Sequence, residues 1–470
     1  MGYPGSAGYD APMRRLACLA GFLVLASPAL WGADAGAEPR PLLDAPRAEE
    51  VAVAGEELLI SATTDHGAVR VTAVPLAGGP AVRRLTVRPP GRDWFAFTRL
   101  VSSDRLAALL VTFDDPEGNF RVSRVYAGPP GGPFSLVRRV HRPARETVWI
   151  PVDVDVYADR LLIQEARLPD LAFRFTVRSP GAAPVRRRQR PVTSNTALAG
   201  DLVAYLRLRR RPPPSFWLVD WRTGEVRDSI ALGEYSEDMH GRDLDLTEDG
   251  RLVAVLDGRL VSASLGETLR VLPGAEGGSR FSSPRFAGDR VAVLAGGPFD
   301  TYRPYIVHPA AGTRRAVGPP STELDSIAAG EGTVAWLANG CVIAVEADVS
   351  SSVDALPPGP CPRAEVRVEE GDQVVRGRTL RVVVTCVAAP DGCRGAALLG
   401  RDGWAGTGRF RVAAGARRSV RIRVSRRGLR SIRRQLRRGG QPVYRLAARL
   451  PDGRVGLGGG TAGVLVSRIR

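Results

Sequence analysis

The chain contains no lysine, so its 66 basic residues are all arginine, and against 49 acidic residues they give a formal net charge of +17. This excess has two interpretations: solvated arginines on a GC-biased coding background, or a surface that faces a polyanion. The complete absence of lysine indicates such a bias. It therefore makes nucleic acid an unlikely partner, although the charge alone would suggest one.

Several motifs that carry chemistry are also missing. The sequence has no G-x-S-x-G nucleophile elbow, no P-loop and no C-x-x-C pair. Gly458, Gly460 and Gly463 spell G-x-G-x-x-G, but no helix pattern follows them, so they predict a turn. Asp245 and Asp249 match part of a calcium loop, but its last ligand position is occupied by a leucine. We therefore expect no catalytic residues, no metal and no cofactor.

Long apolar runs are absent except near the N-terminus. Residues 16–30 are apolar, follow the basic Met13-Arg14-Arg15 and precede A-x-A cleavage candidates at residues 33–37. This pattern predicts a signal peptide over residues 1–37, with an alternative start at Met13, and a secreted or cell-envelope protein. A retained N-terminal anchor is the other interpretation. No later stretch reaches the ~18 apolar residues of a membrane span, so we expect no transmembrane segment after signal removal.

Cysteine is scarce, with five residues, of which the first lies in the predicted signal peptide. The remaining four are Cys341, Cys361, Cys386 and Cys393. An even number in an exported chain favours disulfide bonds, and four cysteines allow three connectivities. Sequence proximity favours the pairs Cys341–Cys361 and Cys386–Cys393.

A short apolar strand that follows a Gly/Asp turn recurs along the chain and is clearest at residues 287–294. Its first inward apolar residues are Leu58, Leu106, Leu161, Val203, Val253, Val291 and Val334. Their mean spacing of about 46 residues lies within the roughly 40–50 residues of a propeller blade. The sequence therefore predicts an all-β chain with a β-propeller of about seven four-stranded blades over residues 41–356.

These units have the form Gly-Asp-x-Val-Ala-x-Leu, followed by a strand that ends in a Thr-Gly or Ala-Gly turn. They resemble the degenerate repeats of TolB-like and WD40-like β-propellers of exported bacterial proteins, over roughly residues 45–355. The resemblance implies a propeller fold and an exported location.

Short strands with a different spacing follow residue 362 and predict a small Ig-like β-sandwich over residues 362–470. The run from Ala413 to Ser425 resembles a strand pair common in Ig-like modules of exported actinobacterial proteins, and Cys386 and Cys393 fit a hairpin of the same modules. A basic helix is predicted at residues 428–440. It either caps the sandwich or binds a polyanion or a membrane surface.

Aromatic residues make up only 6% of the chain, and their densest group lies in the fourth unit. There Trp217 and Trp221 stand beside Arg209 and Arg210, and His240 lies in the next irregular segment. Aromatic and guanidinium groups together can form a stacking surface for a ligand. These five residues are therefore predicted as a binding surface, with packing between blades as the alternative for the tryptophans.

The function predicted from these features is that of an exported, non-catalytic propeller with a binding surface for a protein, a glycan or a cell-envelope partner. One alternative is an extracellular hydrolase or lyase that uses the central propeller pocket. Another is polyanion binding through the arginine-rich C-terminal module, which would weaken steeply with salt.

Overall fold

The computed structural model of the protein describes residues 38–469, with gaps. The gaps are residues 46, 65–66, 92–93, 116–119, 144–146, 168–171, 190–191, 208–213, 233–243, 257, 273–280, 297–301, 320, 322–323, 339, 350–351, 354–364, 370–373, 389–391, 401–402, 404, 414–415, 438–442, 452–454, 458–462 and 466–467. The predicted signal peptide lies outside the described residues, as do Cys361, Arg209, Arg210 and His240.

The described chain is almost entirely strand up to residue 346. In chain order the strands are β1 (Arg40–Asp44), β2 (Ala48–Ala54), β3 (Glu57–Thr63), β4 (Val69–Pro75), β5 (Val82–Val87), β6 (Phe95–Ser102), β7 (Ala107–Asp114), β8 (Phe120–Gly128), β9 (Ser135–Pro143), β10 (Trp149–Tyr157), β11 (Arg160–Arg167), β12 (Ala172–Arg178), β13 (Val185–Gln189), β14 (Val192–Ala199), β15 (Leu202–Arg207), β16 (Ser215–Asp220), β17 (Val226–Ala231), β18 (Leu244–Leu246), β19 (Leu252–Leu256), β20 (Arg259–Ala263), β21 (Arg270–Val271), β22 (Phe281–Ala287), β23 (Arg290–Gly296), β24 (Tyr302–His308), β25 (Thr313–Ala316), β26 (Leu324–Gly330), β27 (Thr333–Ala338) and β28 (Cys341–Glu346).

These strands form four-stranded antiparallel sheets. Sheets 1 to 6 each take four consecutive strands, beginning with β2, β6, β10, β14, β18 and β22. Sheet 7 combines β26, β27 and β28 with β1, which pairs from Arg40↔Ala344 to Asp44↔Cys341. The first strands of neighbouring sheets touch one another in chain order, and β26 touches β2, so the sheets close into a ring. The predicted all-β class and β-propeller architecture are confirmed.

The Gly/Asp turn that recurs in the sequence joins the first and second strands of a sheet. Gly200 and Gly288 adopt φ of +53° and +66° there. Left-handed backbone suits tight hairpins and is least costly for glycine. Sheet 3 makes the same turn at Ala158, with φ of +51°.

The core lies between the sheets, and the second strand of each sheet is buried on both faces. In β23, for example, Val291, Ala292 and Val293 are all fully buried. The alternating pattern of the sequence therefore marks only half of the buried positions, because each sheet packs against a neighbour on either side.

Many arginines lie on the outermost strands of the sheets. They include Arg83, Arg84, Arg138, Arg139, Arg186, Arg187, Arg314 and Arg315. Charged side chains on an edge strand disfavour pairing with the edge of another molecule. Part of the positive charge thus has a structural explanation that needs no polyanion.

The C-terminal region forms a sheet of its own, apart from the seven sheets of the ring. Its elements are β29 (Glu365–Glu369), β30 (Val374–Val375), β31 (Thr379–Ala388), β32 (Cys393–Leu399), β33 (Gly406–Val412), β34 (Arg417–Val424), α1 (Arg426–Arg437), β35 (Val443–Arg449), β36 (Val455–Leu457), β37 (Gly463–Leu465) and β38 (Arg468–Ile469). One sheet runs in the order β29-β31-β34-β33-β32-β35-β36 and curls until β29 touches β35 and β36. An Ig-like identity for this unit stays a prediction.

Helix α1 occupies the segment predicted to be helical, although it begins two residues earlier. The Ser425 hydroxyl accepts a hydrogen bond of 2.8 Å from the Gly428 backbone N–H and caps the helix. Leu429 and Ile432 are buried, and Leu436 packs partly buried against the same core. The apolar face of the helix therefore covers one side of the C-terminal sheet.

The Cys386–Cys393 disulfide is present and joins β31 to β32 across a sequence separation of seven residues. Cys341 is buried in β28, and its pairing with Cys361 stays a prediction because Cys361 lies outside the described residues.

Replacing Cys386 and Cys393 together by Ala is expected to destabilise the C-terminal unit by about 2–3 kcal/mol, because the unfolded chain loses a short closed loop. Hydrogen exchange of the β31 and β32 amides measures this loss. Exchange of the β23 amides in sheet 6 serves as the internal control and should not change. Equal protection of β31 in both proteins would contradict the prediction.

Candidate functional site

A cavity of about 140 Å³ lies among the first strands of the sheets, at the centre of the ring. Each of the seven first strands contributes at least one polar side chain to its lining. Seven of these residues, one from each strand, are here called the polar ring: Glu50, Arg99, Asp155, Thr196, Asp245, Arg285 and Ser326. Asp153, also on β10, lies beside Arg99 and is 6% exposed.

The backbone is irregular where several polar-ring residues stand. The pairing register between the first and second strands shifts immediately before Glu50, Thr196, Arg285 and Ser326. A β-bulge turns the following side chain relative to a regular strand and is common near functional sites. The bulges lie directly before polar side chains that line the centre of the ring.

Four polar-ring side chains also bond the next first strand around the ring. In each case a side-chain oxygen accepts a hydrogen bond from a backbone N–H. The N–H of Val51 donates to Ser326 (3.2 Å) and that of Leu100 to Glu50 (3.1 Å). The N–H of Leu198 donates to Asp155 (2.7 Å) and that of Phe286 to Asp245 (2.7 Å). The polar ring therefore links neighbouring sheets at their inner edges.

The lining of the cavity holds both cationic and anionic side chains. The Arg99 guanidinium lies 3.3 Å from the Asp153 carboxylate. Arg285 donates a hydrogen bond of 2.7 Å to the Pro284 carbonyl, and burial together with repulsion from Arg99 lowers its pKa. Opposite charges close together in a poorly hydrated space stabilise each other strongly.

The carboxyl groups around the cavity hold their protons unusually well. Burial raises the pKa of Asp153 to about 6. Burial, with the neighbouring Asp245 carboxylate, raises the pKa of Asp155 to about 7. Burial also raises the pKa of Asp245 itself. The cavity has only two guanidiniums, those of Arg99 and Arg285, so protonation of aspartates near neutral pH lowers the excess of negative charge.

Tryptophan rings stacked with arginines lie on sheets 3 and 4. Trp149, at the start of β10, has the guanidinium carbons of Arg174 and Arg167 at 4.3 and 5.3 Å from its ring centroid. On β16, Trp217 has the guanidinium carbon of Arg207 at 4.0 Å. Arg207 pairs with the start of β14, so both stacks lie on the side of the ring where the first strands begin.

The residues predicted as a binding surface fall into three groups. Trp217 is half-buried within one of these stacks. Trp221 is only 5% exposed and packs in the core, where its indole N–H donates to the Gly200 carbonyl at 3.2 Å. His240, Arg209 and Arg210 lie outside the described residues, so their role stays a prediction. The polar ring was not predicted, because its residues lie on the first strands, whereas the sequence repeat marks the second strands.

The acidic segment compared with a calcium loop serves other contacts. Asp245 belongs to the polar ring, whereas Asp249 bonds the Thr247 hydroxyl and pairs with Arg251. Among the described residues, no three His, Cys, Asp or Glu side chains are placed to hold a metal ion. Within the same part of the chain, no helix has the length and apolar character to cross a membrane.

No protein-family model matches the chain, and no curated protein matches it. Among solved structures, a prolyl endopeptidase is 15% identical, covers 73% of this chain and 54% of its own, and has a TM-score of 0.45. The WD40 propeller of Doa1 is 11% identical, with coverages of 66% and 95% and a TM-score of 0.43. An inactive virginiamycin B lyase from Staphylococcus aureus is 9% identical, with coverages of 66% and 98% and a TM-score of 0.40.

The chain spans about half the length of the peptidases and hydrolases that it matches. The covered share is 45% for an acylaminoacyl peptidase from Pyrococcus horikoshii, 58% for a puromycin hydrolase and 54% for the prolyl endopeptidase. At these identities and TM-scores the neighbours do not assign an activity to this chain.

Proposed function

We propose that the protein is an exported, non-catalytic β-propeller of seven blades, with a C-terminal Ig-like module, that binds a protein or a cell-envelope glycan. The binding surface is the side of the ring where the first strands begin. The observation that carries this proposal is the use of the polar-ring oxygens as hydrogen-bond acceptors between sheets. A structural role of these oxygens accounts for polar groups at the centre of the ring without requiring catalysis.

The stacked tryptophans favour this side of the ring as the binding surface. Trp149 and Trp217 are half-buried, and each is held by at least one arginine, so little side-chain entropy is lost when a ligand covers them. Rings of this kind stack on sugars and anchor protein interfaces. The Cys386–Cys393 disulfide fits an oxidising compartment and hence export.

Replacing Trp217 by Ala is expected to weaken binding at least tenfold, whereas Trp217→Phe, which keeps an aromatic face, should retain most of it. Binding is measured on a glycan array and on purified cell-wall sacculi with the full chain. Near-UV circular dichroism confirms that both variants are folded. If the chain binds neither target, or if Ala and Phe behave alike, the proposed surface is wrong.

A hydrolase or lyase that uses the central cavity is the second candidate. The raised pKa of Asp155, about 7, suits a general acid or base, and the buried Thr196 hydroxyl has no hydrogen-bond partner among the described residues. A screen against esters, peptides and glycans distinguishes the two candidates. Turnover that Asp155→Asn abolishes in a folded protein would establish the enzyme and overturn the binding proposal.

A further inference from the structure

A second polar site lies between sheets 2 and 3 and shares Arg174 with the Trp149 stack. It is a groove of about 20 Å³ lined by Arg138, Ile163, Glu165, Arg174, Thr176, Arg178 and Arg186, here called the arginine groove. We propose that the arginine groove binds a tetrahedral oxyanion, the phosphate or sulfate ester group of a larger ligand.

Strand register brings the groove residues together. On β12, Arg174 pairs with Glu165 of β11, and Thr176 pairs with Ile163 of β11 and Arg186 of β13. Alternate residues of a strand share one face, so Arg178 lies on the same face as these two. Arg138 reaches this face from β9 of the neighbouring sheet, where its guanidinium lies 3.0 Å from the Glu165 carboxylate.

Two of the guanidiniums are held in place before any ligand arrives. Glu165 is 3% exposed, and its two oxygens accept hydrogen bonds from Arg138 (3.0 Å) and Arg174 (2.7 Å). Arg174 also stacks on the Trp149 ring at 4.3 Å. Fixing these side chains in the free protein removes an entropic cost that binding would otherwise incur.

The groove has more positive charge than its own acid can neutralise. Four guanidiniums line it beside one carboxylate. The Nε atom of Arg178 is buried and has no hydrogen-bond partner among the described residues. A buried donor without an acceptor is rare, and guanidiniums make their strongest hydrogen bonds to phosphate-like and carboxylate oxygens. An oxyanion would supply both the acceptor and the missing charge.

The size of the groove restricts the ligand. A cavity of about 20 Å³ is little larger than the ~10–15 Å³ that one water molecule needs. The oxygen atoms of a terminal ester group can enter it, but a sugar ring or an aromatic ring cannot. The body of the ligand must therefore lie on the surface outside.

The arginine groove also differs from the other arginine-bearing sheet edges. Arg139 is adjacent to Arg138 but exposed, and its side chain lies on the opposite face of β9. In the strand register it stands opposite Arg124 of β8. Protection of the edge strand from aggregation would explain an arginine at either position. It does not explain why four arginines from two sheets line one groove, two of them bonded to the same buried carboxylate.

Isothermal titration of the full chain with inorganic phosphate, inorganic sulfate and acetate tests the proposal. We expect phosphate and sulfate to bind in the millimolar range and acetate at least fivefold more weakly. Phenyl phosphate and phenyl sulfate then show which ester is preferred.

Two variants test the residues of the groove. Arg186→Gln, at an exposed position that leaves the fold intact, and Arg138→Gln should each weaken phosphate binding at least fivefold. The matched control Arg139→Gln removes the same charge from the opposite face and should bind as the wild type does.

Three results would overturn the proposal. One is the absence of phosphate and sulfate binding at 20 mM of either anion, roughly the weakest affinity that a site of this kind would show. Another is an equal loss of phosphate affinity in Arg139→Gln and Arg186→Gln, which would indicate a general electrostatic effect. The third is acetate binding as tightly as phosphate. None of these results depends on the partner of the tryptophan-bearing surface.

Discussion

Replacing Arg99 by Ala is expected to lower the free energy of unfolding by about 3–5 kcal/mol, the usual cost of removing one partner from a buried ion pair. Arg99 lies 3.3 Å from Asp153 and is also attracted by Glu50 and Asp155. Without the guanidinium, several carboxyl groups lose their counter-charge at the centre of the ring. The loss should be larger at pH 8 than at pH 5, because Asp153 is protonated below its pKa of about 6 and then needs less compensation.

Urea denaturation of the wild type and the variant at both pH values measures this effect. Arg105→Ala is the control, because its side chain is 71% exposed and lies 3.6 Å from the exposed Asp104. We expect Arg105→Ala to lower the free energy of unfolding by less than about 0.5 kcal/mol. A loss below about 1 kcal/mol for Arg99→Ala at pH 8 would show that water screens the central charges.

Replacing Asp155 by Asn is expected to stabilise the protein at pH 8 by an amount on the order of 4 kcal/mol, and to change little at pH 4. The native carboxyl keeps its proton up to a pKa of about 7, whereas the unfolded one loses it near 3.8. Between these values the native state binds more protons, so the stability of the wild type falls as the pH rises from 4 to 7. Asn remains neutral and can still accept the hydrogen bond from the Leu198 N–H.

The measurement is the difference in free energy of unfolding between the two proteins at unit steps from pH 4 to pH 8. Asp104→Asn, at an exposed carboxylate, serves as the control. A difference for Asp155→Asn that is flat, or that favours the wild type at pH 8, would mean that Asp155 is ionised in the native protein. The functional role of the cavity would then have to be considered again.

The fold was predictable to the extent that it depends on the second strand of each sheet. Val253, Val291 and Val334 mark strands that are buried in any propeller, so a repeat of apolar residues after a Gly/Asp turn suffices to find them. The pairing of Cys386 with Cys393 was predictable for a similar reason, because short sequence separation implies short distance.

The polar ring could not be found in the same way. Its seven residues are of five different types and stand at different distances from the ends of their strands, and bulges precede Glu50 and Arg285. A bulge changes which side chain faces the centre without leaving a fixed sequence pattern. Trp217 and Trp221 illustrate the same limit. Both are aromatic residues near arginines in the sequence. Contacts between sheets decide that Trp221 packs in the core while Trp217 stacks half-buried on Arg207.

The pairing of β1 with β28 determines when the ring can form during synthesis. Arg40 and Ala344 are neighbours in one sheet, although about 300 residues separate them along the chain. Sheets 1 to 6 can each form as their own four strands emerge, but sheet 7 lacks its outer strand until the first and last segments meet. Contacts between distant parts of a chain form slowly, and exposed strand edges promote aggregation in the meantime. We therefore expect ring closure to be the slowest step in folding and the open ring to be the species most in need of a chaperone.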